Sequence, residues 1–485
     1  MVVKRIWVAI SLAALAGGLG VFMAIFSRDK PAEAGPLAMA EPVLQAAAER
    51  ELVRISVQNE SGGYTLVKGA EGDFFIEGFE DVPQDANALF LTASRLGRVR
   101  FQELAESPDD LKPEDMRLFG LAEPRARVRL EYADGTEALL SIGAEAPDGK
   151  NNYVRNGEGA GISLAASADI GDCLRRALDF VDRTVTPPPE SPNGIAFDTI
   201  TLGGRVRGSE PVHILYRPLS GATEGEDSPE GGFLANPCRL VRPVEAGVDL
   251  DRGLPMLLAL FGIKADRVAA RLDGPLSPAD FGLAEPYSTA SVTGTLGGGI
   301  GGFSLRASAP NEQGLVYLQR EGSDLVYEIA GSKLPWFEAG FFDLMDSLVI
   351  LPFIDSVASV ELRRGTNPLA AFTLSGKGDD LAVKAGDALI DTALFRNFYQ
   401  TLIAARYDEY YDKALPQNAV PVLEIIYRYR NGKAPDTVAF YPATSRRVLT
   451  SLNSRRPFYT YAAYVDKVMA DCEHILAGQR VLPYL

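Results

Sequence analysis

The hexapeptide FGLAEP occurs twice, at residues 119–124 and 281–286. Six identical residues recurring in one chain mean that a site or a whole folding unit has been copied, and the flanks decide which. Each copy follows a short stretch with proline near a helix start and acids in its first turn, Pro113-Glu114-Asp115 and Pro278-Ala279-Asp280. Gly120 and Gly282 then fit the left-handed position that ends a helix. Leu121 and Leu283 can fold back onto its last turn, and Pro124 and Pro286 prevent resumption. Phe119 and Phe281 are expected to be buried anchors. The hexapeptide therefore reads as a helix stop that feeds a strand.

The similarity extends on both sides of it. Three segments open with short alternating strands: VRISV and YTLVK, then DTITL and VHILY, then ASVEL and AAFTL. An amphipathic helix follows, begun each time by an aspartate that can accept from free backbone amides. Asp85 precedes Leu89, Phe90, Ala93 and Leu96; Asp251 precedes Leu254, Leu257, Leu258 and Phe261; Asp391 precedes Leu394, Phe395, Phe398 and Leu402. An arginine (Arg98, Arg267, Arg406) opens a short extended stretch, and then comes the hexapeptide region, a strand pair, a second hairpin and a closing helix. Those helices are expected around 169–181, 334–348 and 464–476. Asp134-Gly135 and Asn431-Gly432 read as two-residue hairpin turns with both positions at positive φ. In the third segment Lys413-Ala414-Leu415-Pro416 stands in place of the hexapeptide.

Ahead of these segments, residues 6–26 run without a charge, long enough to cross a bilayer as a helix. A cleavable signal has a shorter apolar core, so a retained anchor is the leading reading, with A-x-A sites at 32–34 and 38–40 keeping cleavage open. A short tail before the anchor and a large body behind it favour a body on the extracytoplasmic side. The expected organisation is an N-terminal transmembrane anchor at 1–30, an Ala/Pro-rich linker at 31–48, and repeats at 49–190, 191–351 and 352–485. The fold class is α+β: three related units of antiparallel sheet with packed helices, strung behind one transmembrane helix.

Little reactive chemistry can be nominated. The two histidines, His213 and His474, have no second ligand at zinc spacing, and neither G-x-S-x-G nor a Walker A run occurs. The glycine run at 297–302 satisfies G-x-G-x-x-G but leads into a strand rather than a helix, so it reads as a hairpin turn. The acidic stretch 224–230 lacks EF-hand spacing. Cys173, Cys238 and Cys472 are odd in number, far apart, and read as small buried hydrophobes. No catalytic, cofactor-binding or metal residue is assigned, although a hydrolase built on carboxylates such as Asp408 and Glu409 remains a distant third reading.

Charge is uneven. The chain carries −16 overall, which argues against nucleic acid as a partner, yet residues 351–485 hold 16 Lys and Arg against 14 Asp and Glu. There Arg446, Arg447, Arg455 and Arg456 lie near Tyr459, Tyr461 and Tyr464, and Tyr427, Arg428, Tyr429 and Arg430 alternate along a strand. Arg and Tyr are enriched at interface hot spots, so Arg446, Arg447, Arg455, Arg456, Tyr459 and Tyr461 form a candidate docking patch for a protein partner or an anionic envelope polymer. The competing reading is alternating solvent-facing strand residues.

The order strands, helix, GL-x-x-P, strand, LxIG, YV and a closing helix with an aspartate-rich end (Asp179 to Asp182; Asp343 to Asp346) resembles the bacterial domain of unknown function 4340. That resemblance covers the first two segments best. It implies a membrane-anchored extracytoplasmic protein linked to ABC-type transporters of gliding motility, and it supplies no catalytic residues. The resulting expectation is a non-enzymatic scaffold or accessory protein with a membrane partner and no cofactor. The alternative is an envelope protein that holds a saccharide or peptide between repeats.

Overall fold

The computed structural model describes residues 50–103, 112–157, 160–188, 197–216, 238–294, 302–416 and 418–482. The anchor and linker expected at 1–48, the acidic stretch at 224–230 and most of the glycine run at 297–302 lie outside them. Among the described residues no helix is long and apolar enough to cross a membrane.

The chain divides into two compact units, 1–182 and 183–485. In the first unit, period-two alternation makes strands with one wet and one dry face. In Ala126–Tyr132 the residues Ala126, Val128, Leu130 and Tyr132 are buried, while Arg127, Arg129 and Glu131 face out. The strands are β1 Leu52–Asn59, β2 Gly62–Lys68, β3 Phe74–Ile76, β4 Phe101–Glu103, β5 Ala126–Tyr132, β6 Glu137–Glu145, β7 Asn151–Asn156 and β8 Ile162–Ala166, in the order β3-β2-β1-β5-β6-β7-β8-β4. Every strand pairing in this sheet is antiparallel. The chain starts mid-sheet, walks to one edge, and must then cross a face to reach the other edge. Helix α1 Ala86–Leu96 makes that crossing, burying Leu89, Thr92, Ala93 and Leu96. The Asp85 carboxylate accepts the Ala88 amide at 3.0 Å, as its position predicts. Phe90, expected on the buried stripe, is 61% exposed.

The second unit contains two further sheets on the same plan. One runs through β9 Thr199–Gly203, β10 Val212–Tyr216, β11 Cys238–Arg242, β12 Ala246–Gly247, β13 Arg267–Arg271, β14 Ser288–Thr293, β15 Phe303–Ala307, β16 Leu315–Arg320 and β17 Leu325–Ala330, ordered β12-β11-β10-β9-β14-β15-β16-β17-β13. The other runs through β18 Val357–Arg364, β19 Asn367–Ser375, β20 Ala382–Ala385, β21 Ala388–Ile390, β22 Glu409–Tyr410, β23 Leu423–Tyr429, β24 Asp436–Pro442, β25 Arg447–Leu452 and β26 Phe458–Tyr461, ordered β21-β20-β19-β18-β23-β24-β25-β26-β22. In all three sheets the first strand pairs with the strand after the hexapeptide position, and the strand after the helix closes the far edge. Three α+β repeats of antiparallel sheet are thus present.

The helices diverge more than the sheets. In the third repeat Asp391 caps Thr392–Leu402 through the Leu394 amide at 2.9 Å, and Phe395, Phe398, Tyr399 and Leu402 are buried. In the second repeat the expected cap Asp251 is displaced by Asp249, whose carboxylate accepts the amides of Asp251 and Arg252 at 3.0 and 2.8 Å. That helix is only Gly253–Leu258. The closing helix is regular only in the third repeat, at Ala462–Leu476. In the first it is a four-residue turn, Ser167–Ile170, followed by two 3-10 turns, and in the second Pro335 and Gly340 interrupt it. What recurs instead is the aspartate-rich end. Asp85 and Asp182 exchange backbone bonds with Phe180 and Pro83, just as Asp249 and Asp346 do with Leu344 and Gly247.

The hexapeptides stop helices as read. Gly120 and Gly282 both have φ of 68°, and the Leu121 and Leu283 amides return to the carbonyls of Met116 and Pro278 at 2.7 and 2.8 Å. The anchor is the leucine, however: Leu121 and Leu283 are buried, whereas Phe119 and Phe281 are half-buried and pack on Tyr153 and Tyr317 at 4.5 and 5.2 Å between ring centroids. Val154 lies in the core with the α1 residues, so its neighbour Tyr153, and Phe119 with it, lie on the opposite face. The element sits on the sheet face that the helix leaves open.

Turn chemistry also differs from expectation. At Asp134-Gly135 and Asn431-Gly432 only the glycine has positive φ, and Gly135 donates to Tyr132, a type I turn with a left-handed glycine after it. The turn with two successive positive-φ residues is Asn453-Ser454, between β25 and β26, at 52° and 59°.

Candidate functional site

That turn matters because it carries Arg455 and Arg456. Ser454 holds a conformation costly for any residue with a Cβ. Its neighbour compensates: Asn453 takes the Thr437 amide at 2.8 Å and donates to Asp436 at 2.7 Å. The hairpin end so fixed faces the second repeat. Arg456 pairs with Glu210 at 2.9 Å and covers the Tyr410 ring at 5.0 Å, and Arg455 pairs with Glu245 at 3.1 Å. Beneath them Phe341 meets Tyr410 at 4.9 Å and Phe342 stacks on Phe458 at 6.0 Å. The joint itself is zipped, with Tyr407 donating to Ser347 at 2.7 Å and Val349 to Ala405 at 3.0 Å. The first joint residues of this unit dock likewise, Val185 donating to Ile263 and Ala265 to Arg183, each at 2.8 Å.

The six patch residues are therefore not one surface. Arg455 and Arg456 belong to the contact between repeats. Arg447 sits between Asp408, at 3.0 Å, and Glu409, so the carboxylates weighed for hydrolysis converge on a guanidinium. Tyr459 packs on Tyr411 at 5.3 Å. Tyr461 is 52% exposed, its phenol raised by a hydrogen bond to Asp408, and Arg446 is exposed. Tyr427, Tyr429 and Tyr464 point inward: Tyr427 and Tyr464 donate to the Leu402 carbonyl at 3.1 and 2.8 Å, ending the helix before it, and Tyr429 donates to Asp436 at 2.6 Å.

Sequence reasoning offered a cleft between repeats only as its alternative and named no cleft; this contact leaves one open, about 440 Å³ between the second and third repeats. Met345, Val349, Leu452 and Phe458 wall it, with Asp346, Glu245 and the two arginines among the polar groups. Tyr407 lines it as well, its ring against Phe458 at 4.5 Å and its phenol pushed well above the ordinary range by burial. The only foreshadowing signal was the Arg-Arg pair after Asn-Ser. A larger concavity, about 890 Å³, is the outward polar face of the first sheet, with Arg127, Arg129 and Arg155 beside Ser56 and Gln58.

Of the histidines, His213 approaches the Thr201 hydroxyl at 3.2 Å, and His474 lies in the last turn of its helix. Among the described residues no three His, Cys, Asp or Glu side chains are grouped to hold a metal. All three cysteines are free and buried.

A family profile described as a domain of unknown function (DUF4340) matches residues 76–204 and 239–419, together more than half of the chain. Each match begins in the outer strands of one repeat and crosses the joint into the next. No curated protein and no solved structure matches the chain.

Proposed function

We propose, since the chain belongs to the domain-of-unknown-function family DUF4340, that it is a non-enzymatic, membrane-tethered extracytoplasmic accessory protein, a scaffold for a partner in an ABC-type or gliding-motility-like transport complex. The observation that carries this reading is that the repeated residues serve architecture: FGLAEP stops helices, and the aspartate-rich ends and joints knit backbone to backbone. The apolar run at 6–26 supplies the tether, and the transporter link rests on the family resemblance. Arg446 and Tyr461 are the exposed patch residues that lie outside the contact between repeats, and they are offered to a partner on the third repeat. Affinity purification of the full chain in mild detergent tests it: recovery of a transporter or other membrane protein is the expected result, and recovery of none contradicts it.

A second reading, an envelope protein holding a saccharide or peptide between repeats, is favoured by the 440 Å³ cleft, whose size suits a small ligand.

A further inference from the structure

We infer that the cleft between the second and third repeats binds a short zwitterionic peptide with apolar side chains; this rests on the ligand-binding reading above. The apolar part of the lining suits apolar side chains better than sugar hydroxyls. Met345, Val349, Leu452 and Phe458 offer no hydrogen-bond partners, and a saccharide pressed against them would bury hydroxyls unsatisfied. Apolar side chains lose nothing there.

The polar groups ask for both termini of such a ligand. Asp346 is half-buried, uses one carboxylate oxygen to accept the Leu348 amide at 2.9 Å, and has no cationic partner among the described residues. An ammonium group is its natural complement. Arg455 and Glu245 pair at 3.1 Å with both side chains about half exposed, 52% and 55%, so their mutual attraction is weak and a ligand carboxylate can share the guanidinium. The Tyr407 hydroxyl makes no hydrogen bond to a described residue although its ring is packed against Phe458. Tyr407 is only half-buried, and its hydroxyl is free to bond a peptide amide or carboxylate. The walls come from both repeats, so an occupant would also tie them together.

The test is isothermal titration calorimetry on the full chain in detergent, with leucyl-leucine, its N-acetyl and C-amide forms, and maltose. Leucyl-leucine is expected to bind, and blocking either end to weaken it roughly tenfold, the loss of one charge-assisted contact. Asp346→Asn should abolish the sensitivity to N-acetylation, and Arg455→Gln the sensitivity to amidation. Asp346→Asn keeps side-chain size, Arg455→Gln keeps a shorter neutral polar side chain, and circular dichroism checks the folding of both. Leucyl-leucine binding that ignores both end modifications overturns the inference. Binding of maltose but not leucyl-leucine overturns it while leaving the ligand-binding reading standing, and binding of neither removes both.

Discussion

The amide of Ala144 donates to the carbonyl of Phe119 at 2.9 Å, across the bare Cα of Gly143. This bond seats the first hexapeptide on its sheet and explains two glycines. A Cβ on Gly143 collides with the Phe119 carbonyl, and one on Gly120 falls 2.8 Å from the Ala144 nitrogen in a residue already at φ 68°. At Gly282 the same φ recurs, but the nearest atom is Ser308 Cβ at 3.5 Å.

Gly120→Ala should therefore destabilise its unit by about 2–3 kcal/mol, backbone strain plus overpacking, and Gly282→Ala by about 1 kcal/mol, strain alone. Urea unfolding measures both. If Gly120→Ala left unfolding unchanged but abolished partner binding, the hexapeptide would be a site and not a helix stop.

Cap substitutions separate the second repeat from the others. Asp391→Ala and Asp249→Ala should each cost about 1 kcal/mol in chemical denaturation, and Asp251→Ala close to nothing, because Asp249 holds the amides there. Equal losses at 249 and 251 would refute the assignment.

These contrasts show what the chain disclosed before folding. Period-two patterning, the aspartate caps of the first and third helices and the left-handed glycines are local signals, and each reads correctly from a few residues. Asp249 was missed because the choice between two aspartates two residues apart is made by the Leu344 carbonyl, far away in sequence, which accepts the Asp249 amide. The same limit hid the fate of the arginines. Composition marks Arg455 and Arg456 as sticky, but only the pairing of β25 with β26 turns them toward Glu210 and Glu245.

The pair of Arg456 with Glu210 is partly exposed, 30% and 41%, and its worth is modest. A double-mutant cycle on the two should give a coupling of about 0.2–1 kcal/mol that shrinks as salt is raised to molar concentration. A coupling that salt does not touch would place the pair away from solvent.

Burial pushes the thiols up, to about 12 for Cys173 and Cys472 and about 11 for Cys238. The native protein should not react with a thiol reagent at pH 8, and all three should react once unfolded. Since the neutral form is favoured by folding, their contribution to stability is complete below the ordinary thiol value near pH 8.5 and is lost as pH rises toward 11 to 12. Labelling of Cys173 ahead of Cys238 and Cys472 would report the first unit opening separately.

The central claim, a scaffold that engages a membrane partner through its third repeat, is tested most directly by photo-crosslinking in cells. A crosslinking amino acid is placed at 446 or 461, with Leu389, 72% exposed on the edge strand at the opposite side of the same sheet, as control. Positions 446 and 461 should capture one membrane protein that 389 does not. Capture of nothing, or of the same proteins from all three positions, would contradict the account.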